Sequence, residues 1–170
     1  IFTTGCGLTQ IWSGQFQQIA KPATYLASGG AGTLGFDLPA AIGAKVARPD
    51  ATVVAVVGDG GFGFTMEELA MACQHRTPVI VLIINNGYLS LIRQNQRYAY
   101  EYEYAVDLAY GGQGIDFVAL AQAFGAYGER VTTAAELPAA FARAAACGKP
   151  ALIDIIVERQ ADASMGASLD

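Results

Sequence analysis

Residues 53–64 read VVAVVGDGGFGF. Five consecutive apolar residues, Val53 to Val57, have the pattern of a strand buried on both faces, as in a parallel sheet, rather than the alternation of a half-buried one. The run halts at Gly58-Asp59-Gly60-Gly61. A tight turn accounts for the glycines but not for a carboxylate set among them. Asp59 is therefore either turn chemistry or a ligand, and the flanking sequence has to decide which.

Working outward, more strands and helices alternate. Tyr25–Ala27 is a short apolar stretch, Pro78 introduces a strong apolar run from Val79 to Ile84, and Ala151 to Val157 makes a last one. Between them lie helical patterns: Leu8, Ile11, Trp12, Phe16 and Ile19, closing near Lys21-Pro22; FDLPAAIGAKVA, with Pro39 in its first turn; and Leu91, Ile92 and Gln96. Asp116 caps a further helix with core face Val118, Leu120, Ala121 and Phe124, stopped by Gly125. Thr65 with Glu68, and Thr133 with Glu136, have capping-box spacing. The expectation is an α/β fold: a doubly wound, mostly parallel sheet with helices on both faces, in a single domain over residues 1–170.

The composition supports a packed domain. Of 170 residues, 53% are hydrophobic and 15% charged, which excludes a disordered chain. The net charge of -5, with no basic stripe, argues against nucleic acid as a partner. No apolar run reaches the roughly 18 residues of a membrane span, and no signal-peptide pattern opens the chain. Cys6, Cys73 and Cys147 form no C-x-x-C pair and read as buried free thiols of a reducing compartment, so the expected location is cytoplasmic. The abrupt ends suggest a piece of a larger multidomain enzyme.

In open parallel sheets ligands sit beyond the carboxyl ends of the strands. Three stretches would meet there: SGGAGTLG (28–35), GDGGFG (58–63) and NNGYLS (85–90). The first contains G-x-G-x-x-G from Gly30 to Gly35, so a dinucleotide-binding domain competes. That fold wants an acid about 20 residues on, whereas Asp59 lies 29 residues after Gly30, inside a second glycine turn. A P-loop is excluded because no G-K-[ST] is present. Asp59 and Asn86, at the ends of two apolar strands, supply the oxygens that a hard cation such as Mg²⁺ prefers, with phosphate completing the shell. Glycines after Asp59 would let backbone N–H groups approach that phosphate. Either residue alone reads better as an Asx turn; the pair favours the ion.

The spacing Gly58-Asp59-Gly60, 24 residues, Asn85-Asn86 resembles the cofactor motif of the thiamine-diphosphate-dependent superfamily of acetolactate synthase, pyruvate decarboxylase and benzoylformate decarboxylase. SGGAGTLGFDLPAAIGA resembles the loop and helix that precede it there. GYLSLIRQNQR and the tail ERQADASMGASLD are most similar to glyoxylate carboligase (tartronate-semialdehyde synthase), whereas GDGGFGF is nearer to acetolactate synthase. The resemblance implies Mg²⁺ ligation by Asp59, Asn86 and the Tyr88 carbonyl. It also implies diphosphate contacts from Gly60, Gly61 and the N–H groups near Leu89 and Ser90. Leu34 would prop the cofactor in its bent form, and the Gly32 carbonyl would accept a hydrogen bond from the aminopyrimidine.

The implied activity is decarboxylation of a small 2-oxo acid and ligation of the product to a second carbonyl. The implied partners are a pyrimidine-binding domain of the same or a neighbouring subunit and further copies in a homo-oligomer. FAD, where the full-length enzyme uses it, would bind outside these residues. Alone, the chain is expected to bind cofactor weakly or not at all and to turn nothing over. A dinucleotide-binding domain and a non-catalytic interaction module are the readings from other classes. His75, Glu67, Glu68, Met66 and Met71 read as packing, capping or surface groups; Arg93, Gln94 and Arg97 could face substrate, a partner or solvent.

Overall fold

The computed structural model describes residues 1–109 and 112–164. Tyr110 and Gly111 of the tyrosine-rich stretch, and residues 165–170 of the tail, lie outside the described residues. Six strands form one sheet: β1 (Phe2–Thr4), β2 (Tyr25–Ala27), β3 (Val54–Gly58), β4 (Ile80–Asn85), β5 (Tyr127–Val131) and β6 (Ala151–Ile156). Their order is β2-β1-β3-β4-β6-β5, and every pairing is parallel. Seven helices connect them: α1 (Leu8–Phe16), α2 (Asp37–Ala47), α3 (Asp59–Gly63), α4 (Glu68–Gln74), α5 (Ser90–Tyr100), α6 (Phe117–Ala123) and α7 (Leu137–Ala146).

The continuous apolar runs follow from burial on both sides. In β3 and β4, Ala55, Val57, Val81 and Ile83 pack with Leu38, Leu69 and Phe117 from α2, α4 and α6. Val54 and Ile80 point the other way, toward Ala140 and Ala144 of α7. The doubly wound arrangement is thus as expected. The chain passes from β1 to β2 on one side and then to β3 on the other, so the strand order reverses between β1 and β3. A crevice at that switch point is where such sheets take ligands.

Several local expectations differ. β1 and β5 were not anticipated: the first is three residues with two buried threonines, and the second is the edge strand YGERV. α1 ends at Phe16, and Ile19 beyond it is exposed. The segment after Asp59 is a short helix rather than an open turn, anchored by the fully buried Phe62 in edge-to-face contact with Phe117 at 5.6 Å. Thr65 does not cap α4; its hydroxyl donates to the Gly35 carbonyl at 3.0 Å, tying two glycine loops together. Leu120 and Ala121 of α6 and its C-cap Phe124 pack on the core as expected, while Phe117 takes the place given to Val118.

Asp116 caps α6 through Val118 and Ala119, Gly125 follows at φ 88°, and the Thr133–Glu136 capping box forms. Tyr98 and Tyr100 lie on α5, and Tyr102 and Tyr104 follow it, all exposed.

Candidate cofactor site at the strand ends

Three strand ends and the loops behind them line one cavity of about 110 Å³ at the switch point. Asp59, Gly60 and Gly61 come from the β3 end, Asn86, Tyr88, Leu89 and Ser90 from the β4 end, and Leu34 from the first glycine loop. Gly32, in the same loop and half-buried at φ 57°, is not in the cavity wall. A larger space of about 420 Å³ lies behind Asp59, Gly60 and Leu89, among Phe64, Ile115 and Phe117. The smaller cavity holds more of the oxygen donors.

Asp59 is 6% exposed. Its Oδ1 accepts the Gly60 N–H at 2.9 Å, and its Oδ2 accepts the Gly87 N–H at 2.6 Å. Burial pushes its carboxyl up to about 6 against the pull of these amide hydrogen bonds, and the Asp154 charge adds to the rise. Asp154 is fully buried beneath the site, where its carboxylate accepts from Asn85 Nδ2 at 2.9 Å and from Arg130 Nε at 2.9 Å.

Asn86 follows β4 and is held by Ser90, whose Oγ lies 2.6 Å from Nδ2 and 2.8 Å from Oδ1. Tyr88 N–H donates to Asn86 Oδ1 at 3.3 Å. The loop is backed by residues 106–108: Leu89 N–H donates to Val106 O and Leu108 N–H to Gly87 O, both at 2.9 Å. Leu89 N–H is therefore already engaged, and Leu89 meets the cavity with its side chain. Ser90 begins α5, whose first amides have no intrahelical acceptor.

The donor set suits a hard cation that keeps part of its shell for phosphate: a buried carboxylate, an amide oxygen and a peptide carbonyl, all oxygen. Among the described residues no group of three or more His, Cys, Asp or Glu side chains could hold a metal by itself.

Sequence reasoning missed the wall supplied by β1. Cys6, Gly7, Leu8 and Thr9 line the cavity, and Gly7 precedes α1 with no side-chain cap. The N-terminus of α1 thus adds its dipole to that of α3. The available signal was Gly5-Cys6-Gly7 before a helical pattern, which has meaning only once Phe2–Thr4 is seen as a strand. Asp37 was also missed: it is 2% exposed in the first turn of α2 and accepts the Gly5 N–H. Arg93 and Gln94 are buried: Arg93 Nε lies 3.0 Å from Glu103 Oε1, and Gln94 exchanges hydrogen bonds with the Ala163 backbone. His75 is exposed at the amino end of the sheet, away from the cavity. The cysteines are free and half-buried, and no described helix is long and apolar enough to cross a membrane.

Fold and site together define a parallel α/β domain with a pocket at the strand ends, in which the buried Asp59 carboxylate and the Asn86 amide face a mostly apolar wall. The family model described as "Thiamine pyrophosphate enzyme, C-terminal TPP binding domain" matches residues 5–155, and the chain belongs to that family. It is 42% identical over its whole length to an acetolactate synthase of Mycobacterium leprae, covering 28% of that protein. It is 38% identical over 99% of its length to a glyoxylate carboligase of Escherichia coli O157:H7, covering 30% of it. A probable acetolactate synthase large subunit of Methanocaldococcus jannaschii is 38% identical over 93% of the chain, which covers 26% of that protein. The chain therefore spans less than a third of the length of these relatives.

Proposed function

We propose that this chain is the diphosphate- and Mg²⁺-binding domain of a thiamine-diphosphate enzyme that decarboxylates a 2-oxo acid and ligates the product to a second carbonyl, with glyoxylate as the substrate. The observation that carries the reading is the meeting of Asp59, Asn86 and the Tyr88 peptide at the ends of β3 and β4, tied by the Gly87-to-Asp59 hydrogen bond. In this reading Asp59, Asn86 Oδ1 and the Tyr88 carbonyl hold Mg²⁺. Gly61 and the first amides of α1 and α5 would hold the diphosphate, and Leu34 would support the cofactor. When bound, thiamine diphosphate supplies the sink for the electron pair left as CO₂ departs. Leu8 and Trp12 give the cavity an apolar wall that would screen a bound cofactor from water on that side.

The site is completed by a pyrimidine-binding domain from elsewhere in the enzyme or from a second copy in a homo-oligomer. The similarity to a glyoxylate carboligase and the stretch GYLSLIRQNQR support glyoxylate. The similarity to acetolactate synthases supports pyruvate as the second reading. Supplying the full-length enzyme with Mg²⁺, thiamine diphosphate and either acid separates them. Glyoxylate is expected to give tartronate semialdehyde and CO₂; acetolactate from pyruvate, with glyoxylate inert, overturns that choice.

A further inference from the structure

The segment leaving β6 turns back across the metal loop. Val157 N–H donates to Asn85 O at 3.0 Å, and two residues later the Arg159 carbonyl accepts from Asn86 Nδ2 at 3.2 Å. The Arg159 guanidinium lies 4.5 Å from the centre of the Tyr88 ring. It also covers Gly87, where a built Cβ would stand 3.7 Å from Cζ. Its Nη2 donates to Asp107 Oδ2 at 3.2 Å, and Asp107 is bridged to Tyr88 in the strand-like pairing behind the loop. One side chain therefore touches the loop and its backing together.

The Asn86 amide shows what this contact does. Ser90 Oγ lies close to both ends of that amide, and a hydroxyl both donates and accepts, so Ser90 suits either orientation. A backbone carbonyl only accepts and an N–H only donates. The groups that select the orientation are thus the Arg159 carbonyl, which demands Nδ2, and the Tyr88 N–H, which demands Oδ1. Arg159 bears on both, directly through its own backbone and indirectly through the ring it covers.

Resting on the metal-site reading above, we propose that Arg159 is a positioning residue: it fixes the Asn86 amide and the Tyr88 peptide so that both present oxygen to the cation. Partners that orient metal ligands typically change metal affinity by roughly 10- to 100-fold when removed.

The test is Mn²⁺ binding, with Mn²⁺ standing in for Mg²⁺, followed by electron paramagnetic resonance on the full-length enzyme with thiamine diphosphate. Arg159→Ala keeps the carbonyl but removes the side chain that holds this segment against Tyr88, Gly87 and Asp107. It is expected to raise the Mn²⁺ dissociation constant by about tenfold or more, while the thermal midpoint without metal stays close to that of the parent. Arg159→Lys is expected to fall between the two, since it keeps a cation at the ring but not the planar fork. An Arg159→Ala protein with Mn²⁺ affinity equal to the parent overturns the proposal. Should that variant not fold, Asp107→Asn removes only the half-exposed ion pair and is expected to weaken Mn²⁺ in the same direction; unchanged affinity overturns the proposal there too. A parent enzyme that takes up no Mn²⁺ overturns the metal-site reading itself, and the positioning role with it.

Discussion

The Gly87 N–H donates to Asp59 Oδ2 at 2.6 Å, and through this bond the end of β3 grips the loop that follows β4. The two residues are 28 apart in sequence, and their contact turns two strand ends into one site. Gly87 can make it because its φ of 73° lies where residues with a Cβ are strained.

Gly87→Ala is therefore expected to cost about 1 to 2 kcal/mol in denaturant unfolding, because a left-handed backbone crowds the Cβ. Gly87→Asn is expected to cost less, since asparagine tolerates that conformation. Space is not the obstacle, as the nearest atoms to a built Cβ belong to Arg159 at 3.7 Å. Equal stability of all three proteins would contradict the strain argument.

Asp37 gives a pH dependence. Burial raises its carboxyl from 3.8 to about 6, despite hydrogen bonds from its own backbone and from Gly5. The folded chain thus holds this proton more tightly than the unfolded one, so the penalty is absent below pH 3.8 and complete above about 6. The shift corresponds to about 3 kcal/mol at most. Asp37→Asn keeps an oxygen for the Gly5 N–H and is expected to match the parent near pH 3.5 and exceed it at pH 7.5 in chemical unfolding. A parent more stable than the variant at pH 7.5 would contradict this.

Arg130 and Asp154 form an unequal pair. Asp154 is fully buried, whereas the Arg130 side chain is 43% exposed. Arg130→Met leaves a buried carboxylate without its counter-charge and is expected to cost about 3 kcal/mol. Asp154→Asn leaves a guanidinium that water can reach, retains an acceptor for Asn85, and is expected to cost less. Denaturant midpoints of the two variants in the opposite order would refute the assignment.

The parts of the fold that were legible are those whose signal is local. Val53–Val57 and Val79–Ile84 announce strands because burial on both faces demands unbroken apolar runs. Asp116 and Thr133 announce helix starts because their side chains serve the nearest amides. β1 was not legible: Phe2, Thr3 and Thr4 become a strand only between β2 and β3. α3 was hidden by three glycines with poor helix propensity, and the burial of Phe62 holds it in place. The same division holds in the site. Asp59 and Asn86 stood out through motif spacing, whereas Thr9, Asp37 and Arg159 gain their places from contacts that no short window of sequence contains.

The most direct test of the account is calorimetric binding of thiamine diphosphate to the full-length enzyme, with and without Mg²⁺, in the parent and in Asp59→Ala. Binding is expected to require Mg²⁺ in the parent and to be lost in Asp59→Ala. Binding of equal strength in the variant, or binding indifferent to Mg²⁺, would contradict this and leave Asp59 only its structural role at the start of α3, gripping Gly87.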